Sequence, residues 1–234
     1  MYSFDGRVRY SETDSEEILT VPAIIDYFQD SAILHTYDLR QGKGSLIKDN
    51  CAWMLCSWQL EILRYPKFGE KIVISTWPYS FKSFLGERNC TLSTKDGEML
   101  VKANSIWTYM DLDAQRPKKV PEDVSSLYEL SNPLEMDYKP RKITIPESEG
   151  EKLAEIVVEK HHLDSLYHVN NGQYVKMALD CRLKTGRAGS VRVEYKKQAR
   201  LGDVIYPVRY EEEGREIIVL MSEDKNIYAT VEMM

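Results

Sequence analysis

The apolar and polar positions divide the chain into two runs of the same order. Residues 2–10 alternate around Tyr2, Phe4, Val8 and Tyr10, the period of a strand. Past the acidic turn Asp14 to Glu17 the spacing becomes helical. Ile24, Ile25, Tyr27, Phe28, Ala32 and Ile33 recur behind Thr20, an N-cap residue, with Pro22 in the first turn. Gly42 and Gly44 loosen the next connection. Four strand-like runs follow, at 51–65, 70–80, 83–95 and 98–110, with Asp96-Gly97 as the hairpin signal between the last two. Residues 111–150 hold five of the nine prolines and read as a linker with a short helix near 121–130. The order then starts again. A strand near 151–160 leads to a helix from 170 carrying Val175, Ala178, Leu179 and Leu183 on one stripe, then to strands at 189–199, 203–211, 214–221 and 226–233.

Residues repeat as well as order. Asp14-Ser15 through Thr20 aligns with Asp164-Ser165 through Asn170, 150 positions on; Trp58-Gln59-Leu60-Glu61-Ile62 aligns with Val191-Arg192-Val193-Glu194-Tyr195, 133 positions on, and Gly69-Glu70 then meets Gly202-Asp203. The expectation is an α+β protein of two copies, 1–112 and 151–234, joined by a linker at 113–150. Each helix should bury its stripe on its own antiparallel sheet.

The copies differ in chemistry. Where the second has His168 and Asn170-Asn171, the first has Ile18 and Thr20-Val21, so one site per chain is expected, mainly in the second half. The run His161 to Tyr174 places Asp164 and His168 in a turn between strand and helix, with Asn170 or Asn171 as N-cap. Backbone N–H groups at Asn171 and Gly172 would lie at the positive end of the helix dipole, where an oxyanion can be held. The plain alternatives are a turn aspartate, a structural histidine and a cap. His161 and His162 lack a third ligand at metal spacing, so no metal or cofactor is expected.

Composition narrows the setting. The chain is 43% hydrophobic and 29% charged with net charge −6, which gives material for a core and argues against a broad nucleic-acid face. Cys51, Cys56, Cys90 and Cys181 form no CxxC pair and read as reduced thiols. There is no signal pattern at the N-terminus and no apolar run near about 18 residues, so a cytoplasmic protein with no membrane partner is expected.

The motif Leu163-Asp164…His168-Val169-Asn170-Asn171…Tyr174 resembles that of the hotdog-fold thioesterases. Two such units in one chain, with Tyr109-Met110-Asp111 leading into Arg116-Pro117-Lys118-Lys119-Val120-Pro121, and with Val193-Glu194-Tyr195-Lys196-Lys197 later, resemble the acyl-acyl carrier protein thioesterases of plants and bacteria. The resemblance implies a tandem hotdog, each half a long central helix wrapped by an antiparallel sheet. It implies hydrolysis of fatty acyl-acyl carrier protein to free fatty acid.

The family's site uses an Asp, an Asn two residues on, a His two beyond, and a Glu-Cys pair on a later strand. Here the Asp falls on Asp164 and the His on His168, but the Asn position is Leu166 and the Glu-Cys pair is Gln198-Ala199. A cysteine nucleophile at 199 and a glutamate base at 198 are therefore absent. Asp164 remains as base or direct nucleophile, with His168 orienting water or shuttling a proton. Gln198 can position water or the carbonyl but cannot take a proton; its plain alternative is a strand glutamine. Asn170 and Asn171 complete the set.

Trp53, Met54 and Trp58 are candidates for an acyl pocket, or plain core. Arg116, Lys118 and Lys119, and separately Lys196, Lys197 and Arg200, are candidates for docking an acidic carrier protein, or solvated turns. An acyl-coenzyme A thioesterase and a non-catalytic acyl-binding homologue stay open, the latter because of Leu166, Gln198 and Ala199. A monomer or a homodimer is compatible with the repeat.

Overall fold

The structure is a computed structural model, and it describes residues 1–40 and 50–234. Gly42 and Gly44 fall outside them. Contacts divide the chain into two units, Met1–Lys139 and Pro140–Met234.

In the first unit, strands β1 (Tyr2–Arg7), β2 (Cys51–Ile62), β3 (Lys71–Lys82), β4 (Leu85–Thr94) and β5 (Met99–Asp111) pair antiparallel in the order β1-β3-β4-β5-β2. A short β6 (Arg116–Pro117) adds to β5. Helix α1 (Val21–Leu39) packs on this sheet through Ile24, Ile25, Phe28 and Ala32, all buried. Thr20 caps it, its hydroxyl accepting the Ala23 N–H at 3.4 Å, and Pro22 sits in the first turn, where its missing N–H costs nothing. Phe28 meets Trp58 with ring centres 6.0 Å apart.

A bulge decides which β2 residues face α1. The register between β2 and β5 slips at Cys56, so Trp53 pairs with Tyr109 and Trp58 with Ser105. The partners lie four apart, which puts both tryptophans on one face although they are five apart in sequence. Met54, paired with Thr108, points to the other face. The three residues read as one pocket lining are therefore split, and Trp58, 1% exposed under Phe28, is core.

His35, near the end of α1, is buried beside Arg88. Burial first, and the guanidinium second, push its pKa down to about 4. The unfolded chain binds a proton near pH 6.5 that the folded chain refuses until about 4. The stability contributed by neutral His35 is thus fully present above 6.5 and lost as pH falls toward 4. Urea titrations should show up to about 3 kcal/mol of this loss in the wild type and a flatter profile over the same window in His35→Gln.

The second unit repeats the plan with a shorter helix. Strands β9 (Ser190–Tyr195), β10 (Val204–Glu212), β11 (Arg215–Met221) and β12 (Ile227–Met233) run β9-β12-β11-β10-β7, where β7 is Glu151–Lys152. The single strand expected near 151–160 is instead two short pieces, β7 and β8 (Ile156–Val157), both on β10. Helix α3 (Asn171–Asp180) stops before Leu183, which is 64% exposed. Buried Glu216 draws the chain away there, accepting the Leu183 N–H at 2.7 Å and the Arg182 Nε–H at 3.2 Å. Glu232, 2% exposed, is held between Arg192 at 2.6 Å and Arg215 at 2.7 Å.

The stretch read as a linker is divided between the units and tied down along its length. Besides β6 and the one-turn helix α2 (Glu122–Ser125), it lacks periodicity because its partners are buried polar side chains rather than a sheet face. Trp77 Nε1 donates to Asn132, Asn89 Oδ1 accepts from Leu134, and Gln59 bonds both Asp137 and Lys139. In the second unit Ile143 packs on Ile217 and Val219, and its N–H meets Glu194 at 3.2 Å.

Candidate active site

The turn that carries Asp164 is built twice. In the first unit Asp14 Oδ1 accepts the N–H groups of Glu16 (2.9 Å) and Ile18 (3.2 Å), and its own N–H reaches the Ile18 carbonyl at 2.9 Å. In the second, Asp164 Oδ1 accepts those of Leu166 (2.8 Å) and His168 (3.2 Å), and its N–H reaches the His168 carbonyl at 2.8 Å. Both turns close through a non-glycine residue in the left-handed region, Glu17 (φ 59°) and Tyr167 (φ 61°). Leu19 N–H donates to Pro66 where Val169 donates to Ala199, and Thr20 to Glu12 where Asn170 donates to His162. These bonds recur at the 150- and 133-residue offsets of the sequence alignments.

On this shared frame the second unit carries its own groups. Asp164 is half-buried, with Oδ1 consumed by the turn and Oδ2 without a partner among the described residues. His168 is half-buried beside it; its Nδ1 is enclosed with no hydrogen-bond partner. Burial pushes the imidazole below its usual pKa, the Asp164 charge pulls it back up and the Arg200 charge adds to the lowering. The ring is therefore neutral at neutral pH, able to accept a proton.

Asn170 is the N-cap, and its Oδ1 accepts the Gly172 N–H at 2.8 Å. The cap thus takes the donor expected to serve an oxyanion, and Gly172 is itself buried. Asn171 lies at the first turn with its carbonyl accepting from the Tyr195 hydroxyl at 3.1 Å. With Oδ1 bonded to the helix, the Asn170 amide nitrogen keeps its two hydrogens for another acceptor.

Gln198 is not on a strand. β9 ends at Tyr195, and Gln198 lies exposed in the extended connection to β10, beside fully buried Ala199. That connection is fixed from both sides, because the Ala199 carbonyl accepts from Val169 (3.0 Å) and its N–H donates to the Tyr174 hydroxyl (2.8 Å). Sequence reasoning assigned Tyr174 no role. The signal was present in the repeat: the matched positions in the first copy are Ile24, which has no hydroxyl, and Pro66, which has no N–H.

The remaining candidates separate. Arg200 reaches the site electrostatically, whereas Lys196 Nζ lies 3.8 Å from Glu194 and Lys197 is exposed. In the first unit Arg116 and Lys119 are exposed, and Lys118 sits 3.9 Å from Asp111. His162 Nδ1 accepts the Glu159 N–H at 2.9 Å, and no group of three potential metal ligands occurs among the described residues.

Residues 2–128 match the family model described as the acyl-ACP thioesterase N-terminal domain. The palmitoyl-acyl carrier protein thioesterase of Gossypium hirsutum, a chloroplastic protein, is 24% identical over 221 residues, covering 88% of this chain and 54% of the relative. Oleoyl-acyl carrier protein thioesterase 1 of Arabidopsis thaliana, also chloroplastic, is 25% identical over 223 residues, covering 85% and 60%. The chain spans about half the length of these curated relatives.

Among solved structures, an acyl-ACP thioesterase from Bacteroides thetaiotaomicron superposes with TM-score 0.89 at 20% identity, covering 99% of this chain and 96% of the other. The 12:0-ACP thioesterase from Umbellularia californica gives 0.84 at 17%, with the same coverage of 99% and 96%. These neighbours share the tandem hotdog architecture. A family match over more than half of the chain, on a fold shared over almost all of it, makes this chain a member of the acyl-ACP thioesterase family.

Proposed function

We propose that the chain hydrolyses the thioester of fatty acyl-acyl carrier protein and releases the free fatty acid. The observation that carries this reading is the Asp164 carboxylate, fixed through one oxygen and open through the other, beside a neutral His168. Oδ2 removes a proton from water, which attacks the thioester carbonyl, or attacks the carbonyl itself. His168 takes up or returns the proton, and the thiolate leaves with modest need for acid help. The Asn170 amide is the side-chain donor for the developing oxyanion, in place of the Gly172 N–H. Gln198, presented by the clamped connection, positions water or the carbonyl. Trp53 is the pocket candidate that keeps the helix-facing side of β2. Lys196, Lys197 and Arg200, in the same unit as the turn, are the docking candidates for the acidic carrier. No helix among the described residues is long and apolar enough to cross a membrane. The four cysteines are thiols, as suits the cytoplasm.

A second reading has its own support. The Asp14 turn makes the same bonds with no histidine, so the Asp164 geometry is something the fold builds for its own sake, and an acyl-binding protein could retain it. Thiol release from a panel of acyl-carrier-protein and acyl-coenzyme A thioesters tests both. The proposed enzyme turns over the carrier-protein substrates, and Gln198→Ala lowers kcat by roughly tenfold with KM little changed. Acyl binding without any thiol release establishes the second reading. Faster release from the coenzyme A thioesters replaces the carrier.

A further inference from the structure

We propose that Arg88 and His35 form a binding site, within the first unit, for the carboxylate end of an aliphatic chain that lies toward the pocket candidate Trp53. Arg88 lies on β4 and is 7% exposed. Its register partners, Pro78 on β3 and Ser105 on β5, put it in one row with Trp58, on the face covered by α1. Nη1 donates to His35 Nδ1 at 3.0 Å and to Thr76 Oγ1 at 3.1 Å, and Cζ stands 5.7 Å from the centre of the Tyr128 ring. All of these partners are neutral. An arginine only donates, so His35 accepts through Nδ1 and carries its hydrogen on Nε2. No carboxylate of a described residue makes an ion pair with Arg88, and its Nε and Nη2 hydrogens meet no acceptor among those residues.

The second unit pairs its buried charges differently. Glu216 and Glu232 each have an arginine within hydrogen-bond distance. Arg88 is a buried cation without an anion, a state that burial penalises unless something else supplies the charge.

The surroundings point to the kind of anion that fits. From Tyr128 an aromatic row continues through Phe81, 5.5 Å away, to Trp53, a further 5.7 Å on. Gly86, two residues from Arg88 on the same strand face, lets this row close on the strand; a Cβ there would stand 3.0 Å from Trp53 and 3.1 Å from Phe81. A guanidinium edge at the end of an apolar row fits a carboxylate, bonded in a fork, with a hydrocarbon tail along the rings. An alcohol or methyl end would leave the charge unpaired.

The test is calorimetric binding of dodecanoate and of dodecanol to the full chain, as wild type, Arg88→Met and Arg88→Lys. It needs no turnover, so it stands apart from the thioesterase reading. The wild type should bind dodecanoate at least about tenfold more tightly than dodecanol. Arg88→Met should lose that preference and keep its dodecanol affinity, and Arg88→Lys should keep part of it. Without ligand, Arg88→Met should melt no lower than the wild type, since it removes an unpaired charge. Equal wild-type affinities overturn the proposal, as does a preference that survives in Arg88→Met. An Arg88→Met protein that melts far lower also overturns it, for Arg88 would then be framework.

A free fatty acid and an acyl chain bearing a second carboxylate at its far end offer the same chemistry. An Arg88-dependent preference for the mono-coenzyme A thioester of dodecanedioic acid over dodecanoyl-coenzyme A assigns the second source, and its absence assigns the first.

Discussion

Asp164→Asn should lower thiol release by about 10²–10⁴-fold, while Asp14→Asn leaves it within about twofold. The comparison works because the two aspartates occupy the same hydrogen-bonded turn. An asparagine oxygen can accept the same two backbone N–H groups, so the turn survives in each variant and only the charge is removed. Melting temperatures of the two variants should therefore move alike and little. Rates should not, because the second turn has an imidazole beside Asp164 where the first has Ile18. If both variants keep full activity, Asp164 is a turn residue and the proton acceptor lies elsewhere. If both lose it equally, the turns are needed as framework and the carboxylate role fails.

Glu232→Ala should destabilise the protein by about 3–5 kcal/mol, the effect of removing one partner from a buried ion pair. The carboxylate is 2% exposed and bonded to two guanidiniums, whose side chains are 13% and 24% exposed. Its loss leaves Arg192 and Arg215 facing each other across the site with little water to screen them. Urea titration of the full chain reads this directly as a lower midpoint. Glu232→Gln should lie between wild type and Glu232→Ala, since it keeps the acceptor oxygen and loses only the charge. A loss below about 1 kcal/mol in Glu232→Ala would mean that both arginines reach solvent and the triad is a surface network.

What could be read from the sequence followed the strength of the local signal. Strands β2 to β5 and β9 to β12 were marked by alternation and by turns such as Asp96-Gly97, and α1 by its stripe and its Thr20 cap. The bulge at Cys56 was invisible, because nothing in Leu55-Cys56-Ser57 distinguishes an extra residue from the alternation around it. That one slip decides that Trp53 and Trp58 share a face and Met54 does not. The end of α3 was misplaced because its cause is distant: Glu216 captures Arg182 and Leu183 from another strand. Residues 113–150 hid their attachment for the same reason, their partners being Gln59, Asn89 and Glu194.

Motif spacing singled out Asp164, His168 and Asn170 as candidates, and the structure brings them to one turn and the helix cap behind it. Spacing could not show that the Asn170 oxygen consumes the Gly172 N–H, because a cap and an oxyanion donor draw on the same backbone groups. Arg88 carried no signal at all, being one basic residue in an alternating strand.

The clamp on Ala199 also bears on how far one copy could be given the form of the other. A proline at position 66 cannot donate to a neighbouring hydroxyl, and an isoleucine at 24 has none to offer, so the first copy lacks both halves of the bond. A tyrosine placed at 24 would face a residue without an N–H, and a donor placed at 66 would face a side chain without an acceptor. Both changes together are needed to build the bond there, and a histidine placed at position 18 would not by itself give the first copy the clamp of the second.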